Sequence, residues 1–369
     1  MKILFLTNIP SPYRVNFFNE LGKHCDLTVL FEKAHSNIRD KEWKKYSFDN
    51  FTGIIMNGVS TATDEALCFK VVKYLKMNWD KIICANVSTP TGMLAIQYMK
   101  IFRIPYWIEG DGGFPKSGKG LKEKIKKYFI SGAEGYFSTG VNYDNYLLNY
   151  GAKKELIYHY PFTSLCDKDI EEACKLKQQN ILELKKVLGI TEDKIVLSVG
   201  RFSYQNGYGK GYDTLCEAII GLDENIGVYI VGDEPTEEFI KLKAEKHLDK
   251  LHFIGFKKKK DLALYYATAD LFVLLTRKDA WGLVINEAMS FGLPIITTNM
   301  CGAGLSLIED GKNGYIVPAA DPKQVHDKIK NILHDDSLRE IMSFNNLKKI
   351  QQYSIENMAK RHLEVLDKI

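Results

Sequence analysis

The sequence predicts an α/β protein of two halves, each a parallel sheet covered by helices, and three observations carry that expectation. Short apolar runs alternate with helix-length segments almost throughout, as parallel strands joined by helical crossovers require. The alternation occurs as two series, separated by a polar interval rich in Lys, Glu and Gln from Asp167 to Val187. At 369 residues the chain also exceeds the size at which a single core keeps growing.

In the first series the expected strands fall near Ile3–Leu6, Leu27–Phe31, Gly53–Met56, Ile82–Ala85, Pro105–Ile108, Tyr136–Ser138 and Leu156–Tyr158. In the second they fall near Ile195–Val199, Val228–Val231, His252–Ile254, Leu271–Leu275, Ile295–Thr297 and Tyr315–Val317. The Asp167–Val187 interval has good helix formers and no strand signal, which places a domain boundary there. The expected domains are therefore 1–165 and 166–350. The stretch Ser354 to Ile369 reads as an amphipathic helix with Met358, Leu363 and Leu366 on its apolar side. With no strand after it, a terminal helix within 351–369 is expected to pack back on the first domain.

Composition narrows the function. Hydrophobic residues make up 45% and charged residues 26%, and no apolar run approaches the roughly 20 residues that span a bilayer. The N-terminal run Met1 to Asn8 is too short for a signal peptide and reads as a strand, so a cytoplasmic location is expected. Seven scattered cysteines without a C-x-x-C pair argue for reduced thiols. A net charge of +4 gives no support to a nucleic-acid partner. One local basic excess stands out: six lysines against the single Glu123 between Lys116 and Lys127, with Leu121, Ile125, Tyr128 and Phe129 at helical spacing.

The chemistry concentrates in the second half. Gly200 and Arg201 follow an apolar run directly, and Lys210 lies in a loop containing Gly207, Gly209 and Gly211. Both cations are thereby expected at a strand's C-terminal edge, where open α/β sheets bind ligands. Arg offers a planar fork and Lys a mobile point charge, a combination suited to a diphosphate. A Walker loop is excluded, because Tyr204 or Gln205 stands where its first glycine is required and Gly211 replaces its hydroxyl residue. Asp279 and Glu287 lie eight positions apart, with Gly282, Leu283 and Val284 between them and a helix expected from Asn286 to Phe291. Amides around Leu283 suit phosphate oxygens, and the two acids suit sugar hydroxyls. Taken singly, these residues read better as solvated cations, a loop carboxylate and a helix-capping charge.

Taken together they resemble a known pattern. Gly200-Arg201-Phe202, Lys210-Gly211, Gly255-Phe256, Asp279 with Glu287 eight residues on, and Gly292-Leu293-Pro294 are similar to the donor domain of the GT4 retaining glycosyltransferases. The resemblance covers about the whole second half. Asp279 stands where that family usually has Glu, and Trp281 where it usually has Phe. The opening Asn8 to Arg14 resembles a subset that builds bacterial surface polysaccharides, although the commoner glycine-rich first loop is absent.

What the resemblance implies is a GT-B fold, with two Rossmann-like domains whose parallel sheets face a central cleft, and a retaining hexosyltransferase that takes its sugar from a nucleotide diphosphate, UDP foremost. It implies Arg201 and Lys210 on the diphosphate, Glu287 on the ribose, Asp279 on the donor sugar, Gly255-Phe256 against the base, and the Gly282-Leu283-Val284 amides on sugar and phosphate. Fixed cations stabilise the departing diphosphate, so no metal and no cofactor is required. The pair Asp167 and Asp169 lies in the polar interval rather than after a strand, and is read as chance.

In the first half Glu109 and Asp111 follow a predicted strand, where either carboxylate can contact the acceptor, with Tyr13 and Arg14 alongside and Asp111 as a catalytic candidate. A plain turn with solvated acids reads equally well. The expected acceptor is a saccharide, linked to polyprenyl diphosphate, in capsule, exopolysaccharide or lipopolysaccharide synthesis. A basic amphipathic segment at Lys116–Lys127 can rest on an anionic leaflet, which makes peripheral attachment an expectation. Two alternatives remain at this point: a sugar-nucleotide epimerase or hydrolase of the same architecture, and a non-catalytic partner subunit of a transferase.

Overall fold

A computed structural model describes residues 1–34, 46–115, 118 and 120–368. Lys116, Ser117 and Lys119 of the basic segment, and Ile369 of the expected terminal helical stretch, lie outside the described residues. The chain divides into two compact units, Met1–Ser164 with Ser354–Ile369, and Leu165–Tyr353.

Unit 1 contains β1 (Lys2–Thr7), β2 (Asp26–Phe31), β3 (Thr52–Ile55), β4 (Val59–Ser60), β5 (Ala66–Leu67), β6 (Lys81–Cys84), β7 (Trp107–Glu109), β8 (Gly135–Ser138) and β9 (Ile157–His159). Seven of these form one sheet in the order β3-β2-β1-β6-β7-β8-β9. Every neighbouring pair in it is parallel. The short β4 and β5 pair antiparallel as a separate hairpin. Between the strands run α1 (Pro12–Leu21), α2 (Val71–Leu75), α3 (Pro90–Phe102), α4 (Leu121–Ile130) and α5 (Val141–Asn149). Proline opens α1 and α3, where its missing N–H costs nothing, and Thr89 caps α3 by accepting from the Gly92 amide.

Unit 2 opens with α6 (Asp167–Lys177) and α7 (Ile181–Leu188), then β10 (Lys194–Val199), α8 (Tyr212–Ala218), β11 (Ile226–Val231), α9 (Glu237–Glu245), β12 (Leu251–Gly255) and α10 (Lys259–Thr268). It continues with β13 (Leu271–Leu274), α11 (Val284–Ser290), β14 (Ile295–Thr298), α12 (Gly302–Leu307), β15 (Gly314–Val317), α13 (Pro322–His334) and α14 (Asp336–Ile350). Its six strands are parallel, in the order β12-β11-β10-β13-β14-β15. The order reverses between β10 and β13, the place where such sheets open a crevice at the strands' carboxyl ends. The strands are buried on both faces, which is why they read as continuous apolar runs.

The polar interval opens this unit, as the expected boundary at 165–166 implies. Lys177 on α6 donates to the carbonyls of Ala267 (3.0 Å) and Ala269 (2.7 Å), capping the end of α10. Burial pushes the Lys177 ammonium down to about 8. Asp169, from the Asp-x-Asp pair, accepts from the Cys166 amide (3.1 Å) and from Lys259 (2.6 Å), so its carboxylate closes the start of α6.

After unit 2 the chain returns to unit 1 as α15 (Ile355–Leu366), capped by Ser354 and packed on α1. Its buried face is Ile355, Met358, Ala359, His362, Val365 and Leu366. Leu363, expected on that face, is only half-buried, and the imidazole of His362 takes the inward position. On α4, Leu121, Ile125 and Tyr128 form an exposed stripe, while Ile130 alone of the helix is buried. Among the described residues no helix is long and apolar enough to cross a membrane.

Candidate active site

The second unit's candidate residues follow the carboxyl ends of three strands, β12, β10 and β13, in a sheet where β11 lies between the first two. Gly200 and Arg201 follow β10, and the turn behind them is tightly packed. A Cβ on Gly200 would stand 2.9 Å from the Tyr212 hydroxyl and 3.4 Å from the Lys210 stem, and one on Gly232 would lie 1.9 Å from the Gly200 carbonyl oxygen. The Asp233 carboxylate, at the end of β11, accepts from the amides of Phe202 and Ser203 (3.1 Å for the latter). Phe202 is buried against Tyr212 and Phe239. Arg201 itself is exposed. Its backbone is thus anchored on both sides while its side chain remains available.

Lys210 ends a 3-10 turn, Gln205–Lys210, in which Gln205, Asn206 and Gly207 all have positive φ. Two non-glycine residues in that region make this a strained segment that its surroundings must hold. The holding groups are visible: the Gly209 carbonyl accepts from the Thr276 hydroxyl (2.9 Å) and the Arg277 amide (3.0 Å), both just beyond β13. Gly211 has φ +72°, and a Cβ there would meet the Leu275 carbonyl oxygen at 2.1 Å. The loop after β10 is therefore pressed onto the loop after β13. In consequence the Lys210 ammonium lies 2.7 Å from Asp279 Oδ2, with the Tyr204 ring 5.4 Å away.

Asp279 is fixed from behind. Its amide donates to the Met300 carbonyl (2.9 Å), its carbonyl accepts from the Gly302 amide (3.1 Å), and the Trp281 carbonyl accepts from the Ala303 amide (2.8 Å). Gly282 has φ +100°, and Cys301 Sγ stands 2.9 Å from where a Cβ would be. Trp281 is buried and donates its indole N–H to Asn286 (2.9 Å). From there α11 starts at Val284, two residues before the expected start, so Leu283 is its cap and Glu287 lies in its first turn. Burial raises the Glu287 carboxyl above its ordinary range, and a hydrogen bond from the Tyr266 hydroxyl (2.9 Å) offsets part of that. Gly255 (φ +69°) ends β12, and Phe256 projects with 63% of its surface exposed.

In unit 1 the structure separates the two candidate carboxylates. Asp111 is half-exposed, beyond the end of β7. Glu109 is 1% exposed, and its carboxylate accepts from Arg14 Nη1, from the Tyr160 hydroxyl (3.3 Å) and from His362 Nε2 (3.2 Å). This corrects the expectation that Glu109 and Arg14 contact an acceptor: the two hold each other inside the unit. Burial alone would raise the Glu109 carboxyl, but Arg14 and His362 outweigh it and hold it at about 2. Burial alone would likewise lower Arg14, and Glu109 overcomes this, keeping the guanidinium firmly charged. Tyr13, at the start of α1, is half-buried with its ring edge-on to Phe162 at 5.8 Å.

Several groups that build these sites were not singled out from the sequence: Asp233, Tyr266, the pair Arg277 and Asp213, and His362. Asp233 alone carried a local signal, since it follows Gly232 directly after an apolar run.

The family described as glycosyl transferases group 1 matches residues 180–349. The spore coat protein SA of Bacillus subtilis is 32% identical over 205 residues, covering 50% of this chain and 52% of that protein. The capsular polysaccharide biosynthesis glycosyltransferase CapM of Staphylococcus aureus is 27% identical over 173 residues, covering 47% and 45% respectively. The chain thus spans about half the length of the curated relatives it matches. Among solved structures, Anabaena HepE in complex with UDP superposes over 100% of both chains, with a TM-score of 0.77 at 18% identity, a likeness of fold.

Proposed function

The segment 180–349 belongs to the group 1 glycosyl transferases, and on that premise we propose that the chain transfers a sugar from a nucleotide diphosphate, UDP foremost, to a saccharide acceptor with retention of configuration. The observation that carries this reading is the Lys210–Asp279 pair at 2.7 Å, set at the reversal of strand order with the start of helix α11 beside it. That arrangement offers a cation, a hydrogen-bond acceptor for sugar hydroxyls and free backbone amides within one loop cluster. HepE's complex with UDP supports the choice of carrier, and CapM's role in capsular polysaccharide biosynthesis supports the product class.

In this reading Arg201 and Lys210 stabilise the negative charge that grows on the departing diphosphate. Glu287 receives the ribose, Phe256 borders the base, and Asp279 orients the donor sugar. The donor's own phosphate oxygen takes the acceptor proton as the new bond forms on the same face, with Asp111 and Tyr13 orienting the acceptor. No metal takes part, so activity survives chelation by EDTA; loss of activity restored by a divalent cation overturns that point.

The acceptor is proposed to be linked to polyprenyl diphosphate, and the enzyme to work at the inner face of the membrane. The exposed Leu121, Ile125 and Tyr128, flanked by exposed Lys122, Lys124 and Lys127, suit an anionic leaflet. Pelleting with anionic but not neutral liposomes at low salt is expected, and equal pelleting counts against it. The catalytic reading is tested by a screen of nucleotide-sugars with and without polyprenyl-linked acceptors, following nucleotide release. Release that needs acceptor is expected; release indifferent to acceptor favours a hydrolase or epimerase. Full-rate transfer by both Arg201→Ala and Lys210→Ala overturns the reading.

A further inference from the structure

The first and last helices of unit 1 meet on one buried carboxylate. Arg14 of α1 reaches Oε1 of Glu109, and His362 of α15 reaches Oε2 at 3.2 Å, so each oxygen has its own donor. The Tyr160 hydroxyl lies 3.3 Å from Oε1 and 3.2 Å from the Gly110 carbonyl oxygen. His362 is fully buried, with its ring stacked on Phe137 (centroids 4.2 Å apart, planes 26°) and flanked by Phe17 and Tyr160 at 4.9 and 4.8 Å. Its other ring nitrogen, Nδ1, faces the Met358 carbonyl at 2.8 Å. Both ring nitrogens therefore meet oxygen atoms.

An ionic cluster of this kind is a poor way to gain stability, since apolar residues of similar volume often do as well or better. What it does provide is orientation. Glu109 is the last residue of β7, and the turn that follows it is gripped along its length. A Cβ on Gly110 would stand 2.2 Å from the Tyr143 hydroxyl, the Gly110 carbonyl accepts from Tyr160, and the Gly113 carbonyl accepts from Asn142 (3.3 Å). Asp111, the half-exposed acid, leaves from the middle of that turn.

We propose that His362 is a positioning residue for the acceptor side of the reaction: with Arg14 it holds the Glu109 carboxylate in one orientation, and through it the Gly110–Asp111 turn. The proposal rests on the transferase reading above. A carboxylate held at one oxygen only is free to rotate, and the turn it anchors loses its fixed start. The chain's last helix thus supplies a group to the first unit's reactive edge, although 253 residues separate His362 from Glu109.

The test compares His362→Phe, which keeps an aromatic ring on Phe137 and removes both ring nitrogens, with His362→Gln, which keeps a donor, and with Glu109→Gln. The donor is the nucleotide-sugar found in the screen, and the acceptor is the polyprenyl-diphosphate-linked saccharide it serves. Losing a hydrogen bond to a charged group is worth about tenfold or more in binding, so His362→Phe raises the acceptor KM by about that factor. Its donor KM and its acceptor-independent hydrolysis stay within about twofold of the parent on the same scale. His362→Gln recovers most of the loss, and Glu109→Gln gains nothing further when His362→Phe is added, because both act through one carboxylate. Unchanged KM values in a folded His362→Phe protein overturn the proposal. So do equal losses toward donor and acceptor, or strictly additive effects of the two substitutions. If His362→Phe does not fold, His362→Gln carries the same comparison with a smaller expected shift.

If the parent consumes no nucleotide-sugar, the transferase reading fails instead, and amide hydrogen exchange still reads the positioning. Residues 109–114 then exchange about tenfold faster in the variant, a shift of about 1.4 kcal/mol in local opening, while β10 is unchanged. Equal exchange in parent and variant overturns the proposal.

Discussion

Replacing Lys210 by Met separates what this residue does for folding from what it does for chemistry. The ammonium lies 2.7 Å from Asp279, and the two side chains keep 17% and 21% of their exposure, so the pair is shielded but still in touch with solvent. Pairs of this kind contribute roughly 1 kcal/mol or less to stability. The Met stem retains the packing beside Gly200 and Tyr204. Thermal unfolding of Lys210→Met is therefore expected within about 4 °C of the parent, the shift that 1 kcal/mol produces in a domain of this size. The rate behaves differently. A fixed donor aimed at charge that develops in the transition state is worth about 3–4 kcal/mol, so kcat falls by about a hundredfold to a thousandfold. Steady-state UDP release gives kcat, and calorimetry gives the unfolding temperature. Combining Lys210→Met with Asp279→Asn adds a control, because a lysine that served only to neutralise Asp279 would become dispensable once that charge is gone. A kcat within about threefold of the parent, in a protein that unfolds at the parent's temperature, refutes the assignment of Lys210 to the leaving group.

Other substitutions test neighbouring parts of the argument. Asp233→Ala leaves the Phe202 and Ser203 amides without their acceptor and loosens the Arg201 backbone, so the donor KM rises about tenfold, with the acceptor KM unchanged, in the same UDP-release assay. Gly211→Ala sets a Cβ against the Leu275 carbonyl at φ +72°, and is expected to cost about 2 kcal/mol or more by urea unfolding. For Glu109, held at about 2 when folded, the stabilisation is complete above the unfolded value of about 4.3 and is lost as pH falls from there through about 2. Glu109→Gln therefore flattens that part of the acid limb, and costs about 3–5 kcal/mol at neutral pH. Lys177, pushed down to about 8, loses its proton in the folded state before the unfolded chain does at about 10.4, so its share of stability rises with pH between those values. Lys177→Met removes that rise, and urea unfolding across the interval measures it.

The strands were legible because parallel strands between helix layers are apolar on both faces and need no fine pattern to be seen. Every predicted run lies on a strand, with shifts of a residue or two at the ends. The largest shift is instructive: the run placed at Pro105–Ile108 pairs only from Trp107 to Glu109, and Pro105, which lacks an amide to donate, lies outside the ladder. The β4–β5 hairpin left no trace, since strands of two residues with Val59 exposed show neither alternation nor a run. The polar Asp167–Val187 interval, expected to be helical and to mark the boundary, does open unit 2 with two helices, but their packing was not visible in it. Lys177 reaches the end of α10 and Lys185 the carbonyls of Glu192 and Asp193, whereas a polarity count registers both lysines as solvent-facing.

At the site, the legible residues were those that end strands, because a cation or acid directly after an apolar run has a position implied by the sheet. Lys210 and Asp279 lie 69 residues apart, yet each leaves from a strand adjoining the other's, and that adjacency brings them to 2.7 Å. The residues that hold them have no such signature. Tyr266 reaches Glu287 from the neighbouring α10, and His362 reaches Glu109 from a helix whose apolar stripe was drawn through Leu363 instead. A histidine counts as polar in any periodicity argument, so an imidazole that belongs to the interior shifts the apparent face of its helix by one position. The half-exposed acid Asp111 and the buried acid Glu109 differ by two residues and were equivalent in sequence for a related reason. Which of the two turns inward is decided by Arg14 and His362, on the first and last helices, and no local pattern contains both.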